Sequence, residues 1–169
     1  MKPHRGMRPY DIAILLAISI QQDRGWYMRD LSRLLGISAS EVSESLNRSR
    51  IAGLISEDKR KLSKLDVLVF LEHGLRYVFP PAPGEPTTGL ATAHSYFRHF
   101  SLIRDKKQYV WPYPGGKAKG LAIAPLHPNL PKACFENEPF YELMALCDSL
   151  RVGDRNERQQ AINELRYRL

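Results

Sequence analysis

The side chains best placed to do chemistry cluster in the first third of the chain. Between Ser38 and Arg48, the polar residues Ser40, Glu41, Ser43, Glu44, Asn47 and Arg48 surround Val42 and Leu46. At about 100° per residue, Val42 and Leu46 fall on one side of a helix and the polar set forms a broad arc on the other. Small hydroxyls and an asparagine let a helix backbone come close to base edges. Asparagine can pair with adenine, and arginine with guanine or a phosphate. Upstream, Arg29, Ser32 and Arg33 lie outside the apolar spacing of Met28, Leu31, Leu34 and Leu35, where they could touch a phosphate backbone. Downstream, Asp58-Lys59-Arg60-Lys61 is a short basic turn. This is the chemistry of double-stranded DNA contact. The candidate DNA-binding residues are Arg29, Arg33, Ser38, Ser40, Ser43, Glu44, Asn47, Arg48, Lys59, Arg60 and Lys61. Two carboxylates, Glu41 and Glu44, would face phosphates on that arc. Glu41 is better placed to close a capping box with Ser38, each satisfying the other's backbone donor.

The elements that must position this set follow from periodicity. In PYDIAILLAISIQQ, Pro9 suits a helix start, and the apolar residues surround the helix instead of lining one stripe. That pattern predicts a central, buried helix. MRDLSRLLG predicts a second helix, with Gly36 as its C-terminal stop. A three-residue turn, Gly36-Ile37-Ser38, leads to a third helix that Gly53 ends. Helix, helix, short turn with glycine, helix is the helix-turn-helix arrangement. Leu54-Ile55-Ser56 reads as a short strand and Glu57 to Lys61 as a charged turn. Leu62, Leu65, Leu68 and Val69 predict the inner face of a fourth helix closed by Gly74. Arg76-Tyr77-Val78-Phe79 reads as β-rich and is stopped by Pro80-Pro81.

The segment YMRDLSRLLGISASEVSESLNRSRIAGLI resembles the core of MarR-type winged-helix transcription regulators. The resemblance covers about residues 10–56 and rests on DLSRLLGIS, SEVSESLNR and AGLI. It implies a recognition helix in the major groove, a hairpin wing and a homodimer on DNA. The chain departs from that pattern after the basic turn, where a helix is predicted in place of a second long wing strand. LDVLVFLEHGLRYVFPP and the part after it also resemble bacterial winged-helix proteins associated with toxin–antitoxin-like nucleotidyltransferase operons. That likeness implies an alternative, an interaction module such as an antitoxin that binds a partner toxin.

Prolines crowd the chain from Pro80 to Pro139 and disfavour long helices there. Short strands are predicted at Tyr109-Val110-Trp111 and Leu121-Ala122-Ile123, joined across Pro114-Gly115-Gly116. Phe140, Leu143, Met144, Cys147 and Leu150 predict a helix ended by Gly153. Asp154 with Glu157 opens a last helix carrying Ile162, Leu165 and Leu169. The expected fold is α+β and mainly α: an N-terminal winged helix-turn-helix domain over 8–79, and a smaller mixed lobe over 80–169 ending in two helices. Those two helices, residues 138–169, are the expected dimer contact.

Charge supports an anionic partner without fixing it. The 25 Lys and Arg exceed the 18 Asp and Glu, for a net charge of +7. One local basic cluster runs from Arg48 to Lys64, and a second from Arg98 to Lys119, including Arg104. The second is interleaved with Tyr96, Phe97, Phe100, Tyr109, Trp111 and Tyr113. Such a stretch either stacks single-stranded bases or forms a small sheet with its aromatics inside. Catalysis finds little to stand on. His94 and His99 are five apart, which suits neither an i,i+4 metal pair nor HExxH. Cys134 and Cys147 form no CxxC and are expected as reduced, partly buried thiols. Gly115-Gly116-Lys117 lacks the first glycine and the Ser or Thr of a phosphate loop, so a turn is expected. No enzyme activity, cofactor or metal is expected. No apolar run nears the roughly 18 residues that span a bilayer, and the basic N-terminus has no cleavage site, so a cytoplasmic protein is expected.

Overall fold

A computed structural model describes residues 6–21, 24–100 and 106–169. Arg104 of the second basic cluster and the start of the basic N-terminal tail lie outside these residues. The fold is α+β and mainly helical, with one small three-stranded sheet.

Helix α1 (Pro9–Gln21) is the post on which the rest is hung. Every residue from Ile12 to Ile18 is buried, as expected for a helix apolar on all sides. Helices α2 (Met28–Leu35) and α3 (Ala39–Ile51) pack on it and on each other. Gly36 ends α2 with φ +61, a left-handed conformation that glycine adopts without a Cβ penalty. The turn is locked twice. Ser32 Oγ donates to the Ile37 carbonyl, and Asn129 Nδ2 reaches across 93 residues to donate to the Gly36 carbonyl at 2.8 Å.

Three expectations for the following segment are corrected. Leu54–Ser56 is no strand of its own. It forms one side of a tight hairpin with a single bridge, Ile55 to Leu62, closed by Ser56 N–H to the Lys61 carbonyl and Ser63 N–H to the Leu54 carbonyl. Helix α4 (Lys64–His73) buries Val67 and Leu71, while Leu65 is 78% and Val69 58% exposed. Leu62 lies in the hairpin bridge, not in the helix. Apolar residues occur on both sides of α4, so spacing allowed two faces and the core took the other one. Arg76–Phe79 is no strand either. Leu75–Val78 forms the one-turn helix α5, because Leu75 is drawn wholly into the core just after Gly74.

Strands β1 (Pro86–Ala91), β2 (Tyr109–Pro112) and β3 (Ala118–Ala122) close on themselves. β1 was not anticipated. It runs antiparallel to both others, so β2 and β3 lie parallel and do not form a simple hairpin across Pro114-Gly115-Gly116. Closing so few strands needs very close backbone approach. A Cβ on Gly89 would lie 1.8 Å from the Trp111 carbonyl oxygen, and one on Gly116 would lie 2.1 Å from the Gly89 carbonyl carbon. The aromatics Phe97, Phe100 and Trp111 point inward, the arrangement of a small sheet and not of an open stacking platform.

Helix α6 (Leu130–Phe135), also unanticipated, leads into α7 (Glu138–Val152) and α8 (Arg155–Arg168). α7 crosses the molecule between α1 and α8. Phe140, Leu143, Met144, Cys147 and Leu150 of α7 are all buried, as are Ile162 and Leu165 of α8. The stripes expected to hold a dimer are therefore covered within the chain. One continuous hydrophobic cluster runs from Ile12 to Leu165, so segments 8–79 and 80–169 share a core. Among the described residues, no helix is long and apolar enough to cross a membrane.

Candidate nucleic-acid interface

The expected base-reading residues separate into three groups. Ser38 is the N-cap of α3. Its Oγ accepts from the Glu41 amide, and its own amide donates to Glu41 Oε2 at 2.9 Å. The Ser38 amide first, and then the Ser38 hydroxyl, donate to Glu41 Oε2 and hold the Glu41 carboxyl below its ordinary range. Ser38 and Glu41 thus position the helix start.

Ser40, Ser43 and Glu44 form the second group and are exposed side by side on α3, with Asn47 half-buried at the edge of the same arc. Val42 and Leu46 lie opposite, inside. The helix phase read from the spacing holds in the structure.

Arg48 stands apart and is a correction. It is 9% exposed, and its guanidinium grips the wholly buried Asp11 of α1 in a fork. Nε to Oδ2 is 2.8 Å and Nη2 to Oδ1 is 2.7 Å, with Tyr10 Oη on Nη2 at 3.0 Å. Asp11 also accepts the Arg8 amide. The bond to Asp11 pushes the Arg48 guanidinium further above its ordinary value. Two charges out of water persist only when paired in this way, so Arg48 fastens α3 to α1 and is not offered to a base or a phosphate. The signal was present in the sequence: one aspartate in a helix otherwise apolar on all sides needs a cation.

Around the arc lie the expected phosphate contacts. Arg29 and Arg33 are exposed on α2, and the Arg29 guanidinium sits 5.2 Å from the centre of the Tyr27 ring. In the hairpin, Lys61 and Arg60 are exposed, and Lys59 takes φ +58 at the tip. Arg60 stacks over Trp26 at 5.5 Å and donates to the Trp26 carbonyl at 3.2 Å, which holds the hairpin beside the start of α2. Arg50 pairs with Glu57 at 2.8 Å and ties the end of α3 to the same hairpin. The arc, Arg29, Arg33 and the hairpin cations are thus carried on three elements braced against one another. Sequence reasoning missed Arg24, Trp26 and Tyr27 between α1 and α2, although an arginine followed closely by two aromatics is a visible signal.

The second half holds buried polar networks that brace the fold. Asp148 accepts from Thr92 Oγ1 at 2.8 Å, Trp111 Nε1 at 2.6 Å and Arg151 Nη1 at 2.6 Å. Arg151 in turn donates to the Phe79 and Ala124 carbonyls. Lys106 bridges Asp154 and the buried Glu157. Cys134 and Cys147 are free and buried, and burial pushes both thiols well above the ordinary range, so the thiolate needed for attack is disfavoured. Among the described residues, no group of three or more His, Cys, Asp or Glu side chains is arranged to hold a metal ion. No protein-family model, curated protein or solved structure matches the chain.

Proposed function

We propose that the chain is a winged helix-turn-helix transcription regulator that binds double-stranded DNA through α2, α3 and the hairpin. In this reading α3 enters the major groove, and Ser40, Ser43 and Asn47 meet base edges. Arg29, Arg33, Lys59, Arg60 and Lys61 neutralise phosphates and fix the register. The observation that carries the reading is the exposed polar arc of α3, flanked by exposed cations on two other elements, with the opposite face of α3 buried on α1. Glu44 is exposed on the arc, within 3.9 Å of Arg48, and suits acceptance from cytosine better than contact with a phosphate. The test is binding to random and genomic duplexes over a range of salt. A homodimer, if it serves two half-sites, would use another surface than residues 138–169, since their stripes are buried.

A second reading is favoured by one observation. Leu65 and Val69 of α4 and Tyr77 and Val78 of α5 are large apolar side chains left in solvent. Such a surface suits a protein partner, as an antitoxin-like module requires. Purification of a stoichiometric complex, lost on Leu65→Glu, would favour that reading over the first.

A further inference from the structure

Between the hairpin and the loop ahead of α2 lies an open cleft of about 540 Å³, lined by Arg24, Gly25, Trp26, Tyr27, Arg60 and Lys61. That volume lies within the range of small-ligand sites. Among the described residues its lining is one-sided in charge: three cations and no carboxylate. Neither Arg24 nor Lys61 has an ion-pair partner among the described residues. The acidic residues of the hairpin lie outside the lining, although Asp58 acts electrostatically on both Lys61 and Arg60. Glu57 pairs with Arg50, and Asp58 accepts from Ser56 Oγ and the Arg60 amide. Arg60 uses one Nη on the Trp26 carbonyl, and its other N–H donors remain for a ligand. The cleft also holds a ring. Tyr27 is 61% exposed, with Arg29 beside its ring. Cations alone would suit any anion. Cations beside an exposed aromatic ring suit an anion that carries a flat ring of its own.

We propose that this cleft binds a nucleotide, its phosphate among Arg24, Arg60 and Lys61 and its base on the Tyr27 ring. Arg60 and Lys61 are also phosphate contacts in the DNA reading. A bound nucleotide therefore competes with the duplex, and the cleft is an effector site; that regulatory half rests on the DNA reading, whereas the nucleotide site does not.

Titration calorimetry of the full chain without DNA tests the site, using AMP, GMP, adenosine and inorganic phosphate. AMP or GMP binds about tenfold or more tighter than either fragment, because only the nucleotide engages both cations and ring. Arg60→Gln and Lys61→Gln each weaken the nucleotide by about tenfold, and Tyr27→Ala brings it down to the level of phosphate. Both Lys61 and Tyr27 are exposed, so these two variants test the site even if Arg60→Gln disturbs the hairpin. No nucleotide heat at millimolar concentration, equal binding of phosphate and nucleotide, or indifference to all three substitutions overturns the assignment. Duplex affinity that falls when AMP or GMP is added supports the effector role, and unchanged affinity overturns it. A chain that binds nucleotide but no duplex would contradict the DNA reading while supporting the cleft.

Discussion

The pairing of Arg48 with Asp11 shows how one residue changes role between sequence and structure. Read by spacing, Arg48 belongs to the exposed arc. In the structure it lies at the boundary of that arc and turns inward, because Asp11 is wholly buried and requires a cation. Arg48→Ala leaves a carboxylate uncompensated in the core and is expected to destabilise the chain by about 3–5 kcal/mol in urea unfolding. Replacing both residues with apolar ones of similar size should recover much of that loss. An Arg48→Ala protein of wild-type stability would show that the pair does not form. By contrast, Asn47→Ala should leave the melting temperature within about 2 °C and relax discrimination between duplexes, by about 1–3 kcal/mol at the base it meets. At the other end of the molecule, hydrogen bonds from the Glu157 amide and then from Lys106 hold the Asp154 carboxyl below its ordinary range. A depressed carboxylate gives stability that is present above its unfolded value and lost as pH falls through its folded one. The stability gap between wild type and Asp154→Asn should therefore be open at pH 6 and close below about pH 4. A gap that stays constant down to pH 2 would contradict the assignment.

At the scale of elements, the parts governed by local rules were legible and the parts governed by distant contact were not. The buried α1, the Gly36 stop, both capping boxes and the inner face of α7 follow from neighbours within four residues, and all are present. The phase of α4 does not follow, because Leu65 and Val67 are both apolar and only the position of α7 and α8 decides which of them is covered. The same holds for β1: its strand character comes from pairing with β2 and β3, whose partners run from Ala91 with Val110 to Pro86 with Leu121. Leu71→Ala should therefore cost about 2–5 kcal/mol, whereas Leu65→Ala should stay within about 0.5 kcal/mol. Equal costs would reject the observed phase. Gly89→Ala should collapse the small sheet, since its Cβ has no room beside Trp111, and circular dichroism with thermal melting reads the loss. Of the candidate site, the α3 arc and the hairpin cations were legible. The cleft was not, because Arg24 and Arg60 meet only once the hairpin folds back against the loop before α2.

Across the whole molecule, a single core joins the two halves, and Asn129 pins the second half to the α2–α3 turn of the first. Removal of residues 154–169 would uncover the inner face of α7 and is expected to abolish cooperative unfolding, not to yield a folded monomer. The central proposal is that α2, α3 and the hairpin present one surface to duplex DNA. The most direct measurement is duplex affinity as a function of salt for the wild type and for Lys59→Ala, Lys61→Ala and Arg33→Ala. Log affinity is expected to fall linearly with log salt, and each substitution to weaken all duplexes alike and make the slope shallower by about one. Absence of duplex binding at low salt, or a slope indifferent to all three substitutions, would contradict it.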